Sequence, residues 1–573
     1  MKILKKYELE SLYFLFLTLL LFIYKNEDFY IIFIFFALLT IVSNINIKIE
    51  SKSITYFVAA SFFLNFKSFK DPLIYSHAFR QTQNAISSRF ISENNFSFLN
   101  PLPHIGLNTY APFEFPFLQI LSSFLQKIGV KELYTLRPLS WVIFIIFSVT
   151  YFLYLKKVTD NNLAANYFLI ICAFHPLFLQ YSNAYMIEFI PHIFGILACI
   201  NLNNNKNFVA HIFLSMSLLS KITTGIVYLL IFLLLEINYK IKNSRIIDKK
   251  QIINYLISLA PISIWLLTEE VVKDSSKFSS WLKGSQMKNW NFGNIDQYTN
   301  IQTYDVIYSR ILENFGLLYP SYYFGTFIFV ILLLIEKKLI LLITVPFIFI
   351  NLYLVHDYYL IAIFPIITCL LIIKLFSKYK DYRYFLLVSF LLLTNINYLL
   401  ATQNDSYQNL IIKQNQPRIE NYNSGLIEIL NKDEFQNLNN VYIKSSFYDW
   451  NPTLFFYIDK YGLMIKDNMF LDNNKLQLSD LSSNNIDIFI FQDDNFEFTH
   501  FDTFRELMSI DGFKFLKIQK FEFSSNLPEL YSENLKFFIV TPDDDGINEY
   551  MIVNTDKLEF EKQKNDFFDF ING

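Results

Sequence analysis

The sequence predicts a polytopic all-α membrane domain of about thirteen transmembrane helices, followed by a soluble C-terminal domain of α/β or α+β type. Three observations predict it. Apolar residues make up 53% of the 573 residues and charged residues only 17%, against roughly a quarter charged in ordinary soluble domains; the mean hydropathy is +0.30. Long apolar runs recur from Ser11 to Ala401 and then stop. From Thr402 to Gly573 the chain is polar, rich in Asn, Asp, Ser and Lys. The expected domains are therefore 1–401 and 402–573.

A helix needs about 20 apolar residues to cross about 30 Å of hydrocarbon. The runs that serve are Ser11–Tyr24, Phe29–Ser43, Thr55–Phe66, Pro138–Leu155, Leu163–Tyr181, Tyr185–Leu202, Phe208–Leu219, Thr224–Ile237, Ile252–Val272, Phe315–Ile335, Leu339–Val355, Tyr358–Phe376 and Tyr384–Ala401. The first run follows lysines, as in a signal peptide, but no small-residue cleavage site follows it, so a retained first helix is expected.

Basic residues set the orientation. With the N-terminus inside, the inner segments carry Lys2, Lys5 and Lys6; Lys48 and Lys52; Lys156 and Lys157; Lys206; Lys240, Lys242, Arg245, Lys249 and Lys250; Lys337 and Lys338; and Lys378, Lys380 and Arg383. This pattern predicts a multi-pass protein of the plasma (inner) membrane with a cytoplasmic N-terminus. An odd number of spans places the C-terminal domain outside. Two long outer loops result, Lys67–Arg137 and Lys273–Asn314. In the first, Pro112–Ile128 reads as an amphipathic helix lying on the membrane surface. In the tail, Val441–Lys444, Ile486–Phe491, Phe513–Ile518 and Phe537–Thr541 read as strands, with helix-like stretches such as Gly425–Leu430 and Thr453–Tyr461 between some of them.

Several classes are disfavoured. The net charge of −3 gives no global field for nucleic acid. Cys172, Cys199 and Cys369 all lie within apolar runs and read as packing residues. No phosphate-binding glycine loop, dinucleotide fingerprint or zinc spacing is present, which argues against ATP-driven pumping and nicotinamide chemistry. The Asp543-Asp544-Asp545-Gly546 run reads as a solvated turn.

The polar residues that remain crowd at outer span ends. His77, Arg80, Gln81 and Gln83 lie within seven residues after an early span; their donors suit phosphate or sugar oxygens, or they cap the loop. Glu114 lies between Phe113 and Phe115, where partial desolvation would raise its pKa toward that of a base; equally, it suits a helix N-terminus. Glu188 ends Tyr185-Met186-Ile187-Glu188 at the mouth of a span, where an ionisable residue is a functional candidate, with His192 one turn on along the same helix face. Lys221 is the one charge in a long apolar stretch, able to offset phosphate or to snorkel. Trp290 in Trp290-Asn291-Phe292-Gly293 suits a carbohydrate or an interfacial anchor. His356, Asp357, Tyr358 and Tyr359 exceed what a tight turn requires.

In this order, the segments HAFRQTQNA, FEFP, YMIE, WNFG and HDYYLIAIFP resemble the GT-C membrane glycosyltransferases of the family 39 type, which include protein O-mannosyltransferases and aminoarabinose transferases. The resemblance spans the whole membrane domain. It implies a sugar donor linked to polyprenyl phosphate, a glycan, lipid or protein acceptor, and inverting transfer at the extracytoplasmic face. A carboxylate takes the acceptor's proton while lipid phosphate leaves. Relatives usually carry an acid in the first loop, whereas no acid lies between Ser76 and Ser92 here, and Gln83 stands where they have Asp. The base is then Glu114 or Glu188, or Asp71 if the loop folds back. Arg80 and Lys221 would hold the lipid phosphate, His77, Gln81 and Gln83 would lie near the sugar, and His356, Asp357, Tyr358 and Tyr359 would close the site. Some GT-C enzymes use a divalent metal; the scattered carboxylates form no convincing ligand set, so a metal stays open. The competing readings are a flippase or transporter of lipid-linked glycans, which needs polar residues near mid-membrane, and a polysaccharide polymerase.

Overall fold

The computed structural model describes residues 49–70, 77–99, 110–243, 249–275, 282–314 and 339–378, the strands between 440 and 554, and the single positions 73, 102, 103, 279, 452, 455, 456 and 459. The described residues are mostly helical. The chain divides into two compact units, each assembled from separate stretches of sequence. One comprises Met1–Asp71, Ile128–Thr268 and Gly284–Ser406; the other comprises Pro72–Lys127, Glu269–Lys283 and Tyr407–Gly573.

Prolines punctuate the helices of the first unit. The expected span Leu163–Tyr181 is two helices, Asn162–Phe174 and Pro176–Tyr181, because a proline pushes the residue before it out of the α region. His175 is accordingly extended. The span expected from Tyr185 begins as a helix only at Ile190, with Pro191 in its first turn. Glu188 therefore sits in the turn before that helix, and not on one helix face with His192 as the spacing suggests. The run Leu339–Val355 is broken at Phe349, and the run from Tyr358 opens with a 3-10 turn, Asp357–Ala362, before the helix Phe364–Lys378. Among the described residues two helices, Glu132–Thr159 and Gln251–Asp274, are long and apolar enough to cross a membrane, and six apolar helices are shorter. The expected spans Ser11–Tyr24, Phe29–Ser43, Phe315–Ile335 and Tyr384–Ala401 fall outside the described residues.

Aromatic rings fill this unit. Tyr151 stacks on Phe168 at 4.6 Å, and Phe147 packs against Phe189 at 4.8 Å. Such pairs contribute about 0.5–1.5 kcal/mol beyond area burial. Their polar handles meet at His192. Its Nε2 donates to the Ile361 carbonyl at 2.8 Å, which leaves Nδ1 to accept from the Tyr228 hydroxyl at 2.8 Å. Tyr228 in turn lies 2.6 Å from the Tyr151 hydroxyl. Three helices and the 3-10 turn are thus joined through one neutral imidazole whose hydrogen bonds are all made. Gly195 admits the Tyr228 ring: a Cβ there would lie 2.3 Å from it.

The outer faces of these helices are apolar. Ile252, Leu256, Ile264, Leu267 and Val271, all on the helix Lys249–Asp274, are each more than half exposed. Water does not favour such a surface.

In the second unit the helix Ala78–Glu93 packs along Phe117–Lys127 through polar contacts. Gln119 donates to Asn84 at 2.8 Å, and Ser123 donates to the Ser88 carbonyl at 2.6 Å. The shorter helix thus turns Leu118, Gln119, Ser122 and Ser123 inward and leaves Leu121 and Phe124 exposed, a more polar inner face than a helix on a water-soluble core presents. It starts at Phe117, and not at Pro112 as the sequence suggests, because the prolines at 112 and 116 cannot continue a helical ladder.

The described strands of this unit form one sheet in the order β2-β1-β3-β4-β5, where β1 is Asn440–Ser445, β2 Tyr461–Ile465, β3 Ile488–Gln492, β4 Lys536–Asp543 and β5 Gly546–Asn554. β1 to β4 are parallel and β5 is antiparallel to β4. β1, β3 and β4 fall where the tail's apolar runs place strands. β2 and β5 were not expected, and the expected strand Phe513–Ile518 and helix Gly425–Leu430 lie outside the described residues. Asp543, the first of the acidic run, ends β4 and pairs with Gly546 at the start of β5, and Pro542 falls at a register shift that spares its missing N–H.

Gly195→Ala should lower stability by about 1–3 kcal/mol, as overpacking does. A thermal melt of the purified protein in detergent checks this; an unchanged midpoint would mean that the Tyr228 ring is not seated against residue 195.

Candidate functional site

The predicted site residues fall into two clusters, one in each compact unit. In the first unit, Lys221 occupies the break between the helices Asn207–Ser220 and Ile222–Asn243, with an extended backbone. The turn is tight because Gly225 lets the second helix approach the first: a Cβ there would lie 2.4 Å from the Leu218 backbone. Lys221 is 2% exposed and Glu188 is 1% exposed. The Lys221 ammonium donates to the Glu188 carboxylate. It also lies over the rings of Tyr358 and Tyr359, at 4.9 and 4.7 Å from their centroids. A lone buried ion costs several kcal/mol to desolvate, so the lysine survives here on its partner carboxylate and two aromatic faces.

Further groups converge on this pair. The His356 ring stacks on Tyr358 at 5.1 Å and meets Trp290 edge-on at 6.1 Å. Tyr353, absent from the sequence expectation, packs on Tyr359 at 5.9 Å and lies within electrostatic reach of Glu188. Arg310 donates to the Tyr353 carbonyl at 3.1 Å. The hydroxyls of Thr223, Thr224 and Tyr353 are buried with no hydrogen-bond partner among the described residues.

The geometry explains the Trp290-Asn291-Phe292-Gly293 motif. Gly293 has φ +81, and a Cβ there would lie 2.4 Å from the Ile350 side chain. That close approach docks the helices Lys288–Phe292 and Ile295–Thr299 on Ile350–Val355: Asn351 donates to the Trp290 carbonyl at 2.9 Å and accepts from Gln297 at 2.7 Å. Asp357 opens the 3-10 turn.

The second unit gathers the other half of the predicted residues. His77 is in the left-handed region, with φ 65, a conformation that costs a non-glycine residue roughly 1–3 kcal/mol. Its carbonyl accepts from the amides of Arg80 and Gln81 and starts the helix Ala78–Glu93. Arg80 donates to Gln83 at 2.6 Å and to the Glu114 carboxylate. Gln81 and Gln83 are buried. Lys273 is the residue that sequence reasoning missed in this unit. It is fully buried, pairs with Glu269 one turn earlier on its helix, and lies 4.6 Å from the Phe113 ring centroid. The Arg80 guanidinium meets the same ring at 5.6 Å. Two cations, one ring and two carboxylates therefore form a compact charged group. The sequence signal for it was a Glu–Lys pair four residues apart at the end of an apolar helix. Asp71 lies outside the described residues. Among the described residues no group of three or more His, Cys, Asp or Glu is placed to hold a metal ion.

No protein-family model matches the chain, and no curated protein matches it. Among solved structures it is similar to the crystal structure of ArnT from Cupriavidus metallidurans bound to undecaprenyl phosphate, with a TM-score of 0.48 and 9% identity, over 88% of this chain and 98% of that one.

Lys221→Met leaves Glu188 buried without its cation and should cost about 3–5 kcal/mol. Pairing it with Glu188→Leu should recover most of that loss. Chemical denaturation of the three variants checks this; a double variant no more stable than Lys221→Met would show that the two groups are not coupled.

Proposed function

We propose that the chain is a membrane glycosyltransferase. It moves a sugar from a polyprenyl-phosphate donor to a hydroxyl of a cell-surface glycan, lipid or protein at the extracytoplasmic face, with inversion. The observation that carries this reading is the buried Lys221–Glu188 pair, covered by Tyr358 and Tyr359, with two buried threonines, Thr223 and Thr224, directly after Lys221 in the chain. A buried cation under two aromatic faces suits a phosphate oxygen that gains charge as it leaves. The membrane setting is supported by the exposed apolar faces of the helices and by Leu121 and Phe124, exposed on the helix Phe117–Lys127, all of which suit hydrocarbon.

In the proposed reaction a carboxylate takes the proton of the acceptor hydroxyl. The acceptor oxygen forms a bond to the anomeric carbon as the bond from that carbon to the phosphate oxygen breaks. The polyprenyl phosphate leaves with the electron pair. Base and leaving group lie on opposite faces of the sugar, as in inverting glycosidases. Within the first unit Lys221 is assigned to a phosphate oxygen, with Trp290, His356, Asp357, Tyr358 and Tyr359 as the residues that close over it; within the second unit Arg80 is likewise assigned to a phosphate oxygen, and His77, Gln81 and Gln83 to sugar hydroxyls.

Glu114 is the better base. Its side chain is 23% exposed, whereas that of Glu188 is 2% exposed, and a base must be reached by an incoming acceptor. Each carboxylate is paired with a cation assigned to phosphate. Donor binding would draw those cations toward phosphate and leave the carboxylate free to accept a proton.

Purified protein incubated with a polyprenyl-phosphate sugar should release lipid phosphate only when acceptor is present. Glu114→Gln should lower kcat by about 10²–10⁴, and Lys221→Met, if folded, by about 10²–10³. A folded Glu114→Gln protein with normal turnover would move the base role to Glu188. Movement of intact donor across vesicles without phosphate release would replace transfer with flipping.

A further inference from the structure

Beyond the two clusters, one joint within the second unit has no part in the site. The helix Ala78–Glu93 carries Arg80 and Gln83 at its start and meets the C-terminal segment at its end. Arg89 donates to the Phe456 carbonyl at 3.2 Å, and its guanidinium lies 4.7 Å from the Phe456 ring centroid. It also pairs with Asp459 at 2.6 Å. The Tyr461 hydroxyl, at the start of β2, donates to the Glu93 carboxylate at 2.6 Å. The Tyr461 ring packs edge-on against Phe90 at 5.4 Å. Burial and that carboxylate push the Tyr461 hydroxyl well above the usual phenol range, which keeps it a donor.

We infer that Arg89 and Tyr461 are positioning residues: through them the C-terminal sheet segment sets the place of the helix that carries Arg80 and Gln83. The role of that helix in transfer rests on the function proposed above; the joint itself does not. Arg89 follows Arg80 by nine residues, about two and a half helical turns and ~13 Å along the axis. It therefore points to the opposite side of the helix and acts on the site only through the helix. The helix is a good transmitter, because it is gripped along its length: by Glu114 on Arg80, by Gln119 on Asn84, by Ser123 on the Ser88 carbonyl, and by the joint at its end. The parts of the joint differ in weight. Asp459 is 78% exposed, and an exposed pair contributes little. The guanidinium over the Phe456 ring and the short tyrosine–carboxylate bond carry the grip, and lysine lacks the flat guanidinium. The C-terminal segment is thus more than a cover: to the Lys127 contact with the Ser92 carbonyl and the Ser123 contact with the Ser88 carbonyl it adds the grip of Phe456 and Tyr461 on the same end of the helix.

Hydrogen exchange of the full-length protein in nanodiscs tests the joint directly. Arg89→Ala and Tyr461→Phe should each speed exchange of the amides of residues 81–93 by about tenfold, Arg89→Lys should behave as Arg89→Ala does, and Asp459→Ala should stay within twofold of the parent. With a polyprenyl-phosphate sugar and acceptor, kcat should fall about tenfold for the first two variants while the donor KM stays within twofold. Unchanged exchange in both Arg89→Ala and Tyr461→Phe overturns the inference, whatever the turnover. Faster exchange with unchanged kcat overturns the positioning role. If the parent protein shows no transfer at all, the proposed function fails, and the exchange result alone decides whether the joint holds the helix.

Discussion

A lysine that is 2% exposed and a glutamate that is 1% exposed can share an interior only if each offsets the other's desolvation. The Lys221–Glu188 pair sets that condition, and much of the helical unit can be read as meeting it. Lys221 has to sit where two helices break, so Gly225 lets the second helix lie against Leu218. Glu188 has to face it from a turn, and Pro191 starts the next helix just beyond. Tyr358 and Tyr359 have to cover the ammonium, so the run that holds them opens as a 3-10 turn and not as an α-helix. The His192 network then ties that turn to the Glu188 segment, because Ile361 and Tyr228 both bond to the same imidazole.

The second charged group follows a different logic. Arg80 and Lys273 both approach the Phe113 ring, and each has its own carboxylate, Glu114 and Glu269. Neither carboxylate comes from the segment that supplies Arg80. An aromatic face shared by two cations is tolerable only when anions neutralise them nearby. Nothing in the linear order of the chain announces this, since Phe113 and Lys273 lie far apart in sequence and meet only through the fold.

What could be read from sequence was what repeats or stands out locally. Apolar runs marked the helices, and β1, β3 and β4 showed as short hydrophobic runs in a polar tail. Lone charges in apolar surroundings marked Glu188 and Lys221. What could not be read was geometry set by prolines and by distant partners. His175 and Phe349 interrupt runs whose hydropathy is unbroken, because hydropathy carries no information on backbone freedom. Tyr353 and Arg310 look like ordinary helix residues until the ring of Tyr359 and the carbonyl of Tyr353 are placed beside them. The face of Phe117–Lys127 was legible as amphipathic, but which side turned inward depended on Asn84 and Ser88 in another helix.

The absence of an acid between Ser76 and Ser92 reads differently once the helix Ala78–Glu93 is built. Gln83, one turn beyond Arg80, accepts from its guanidinium at 2.6 Å with a neutral carbonyl oxygen. An aspartate there would supply the same hydrogen bond together with a negative charge. The charge instead arrives from Glu114, in the segment that leads into the next helix. Moving the anion off the arginine's own helix has a physical consequence. A carboxylate one turn away on the same helix is fixed to the arginine by the backbone, whereas Glu114 can part from Arg80 when its segment shifts. The pair is then separable, and the arginine can exchange one anionic partner for another without unwinding the helix that carries it.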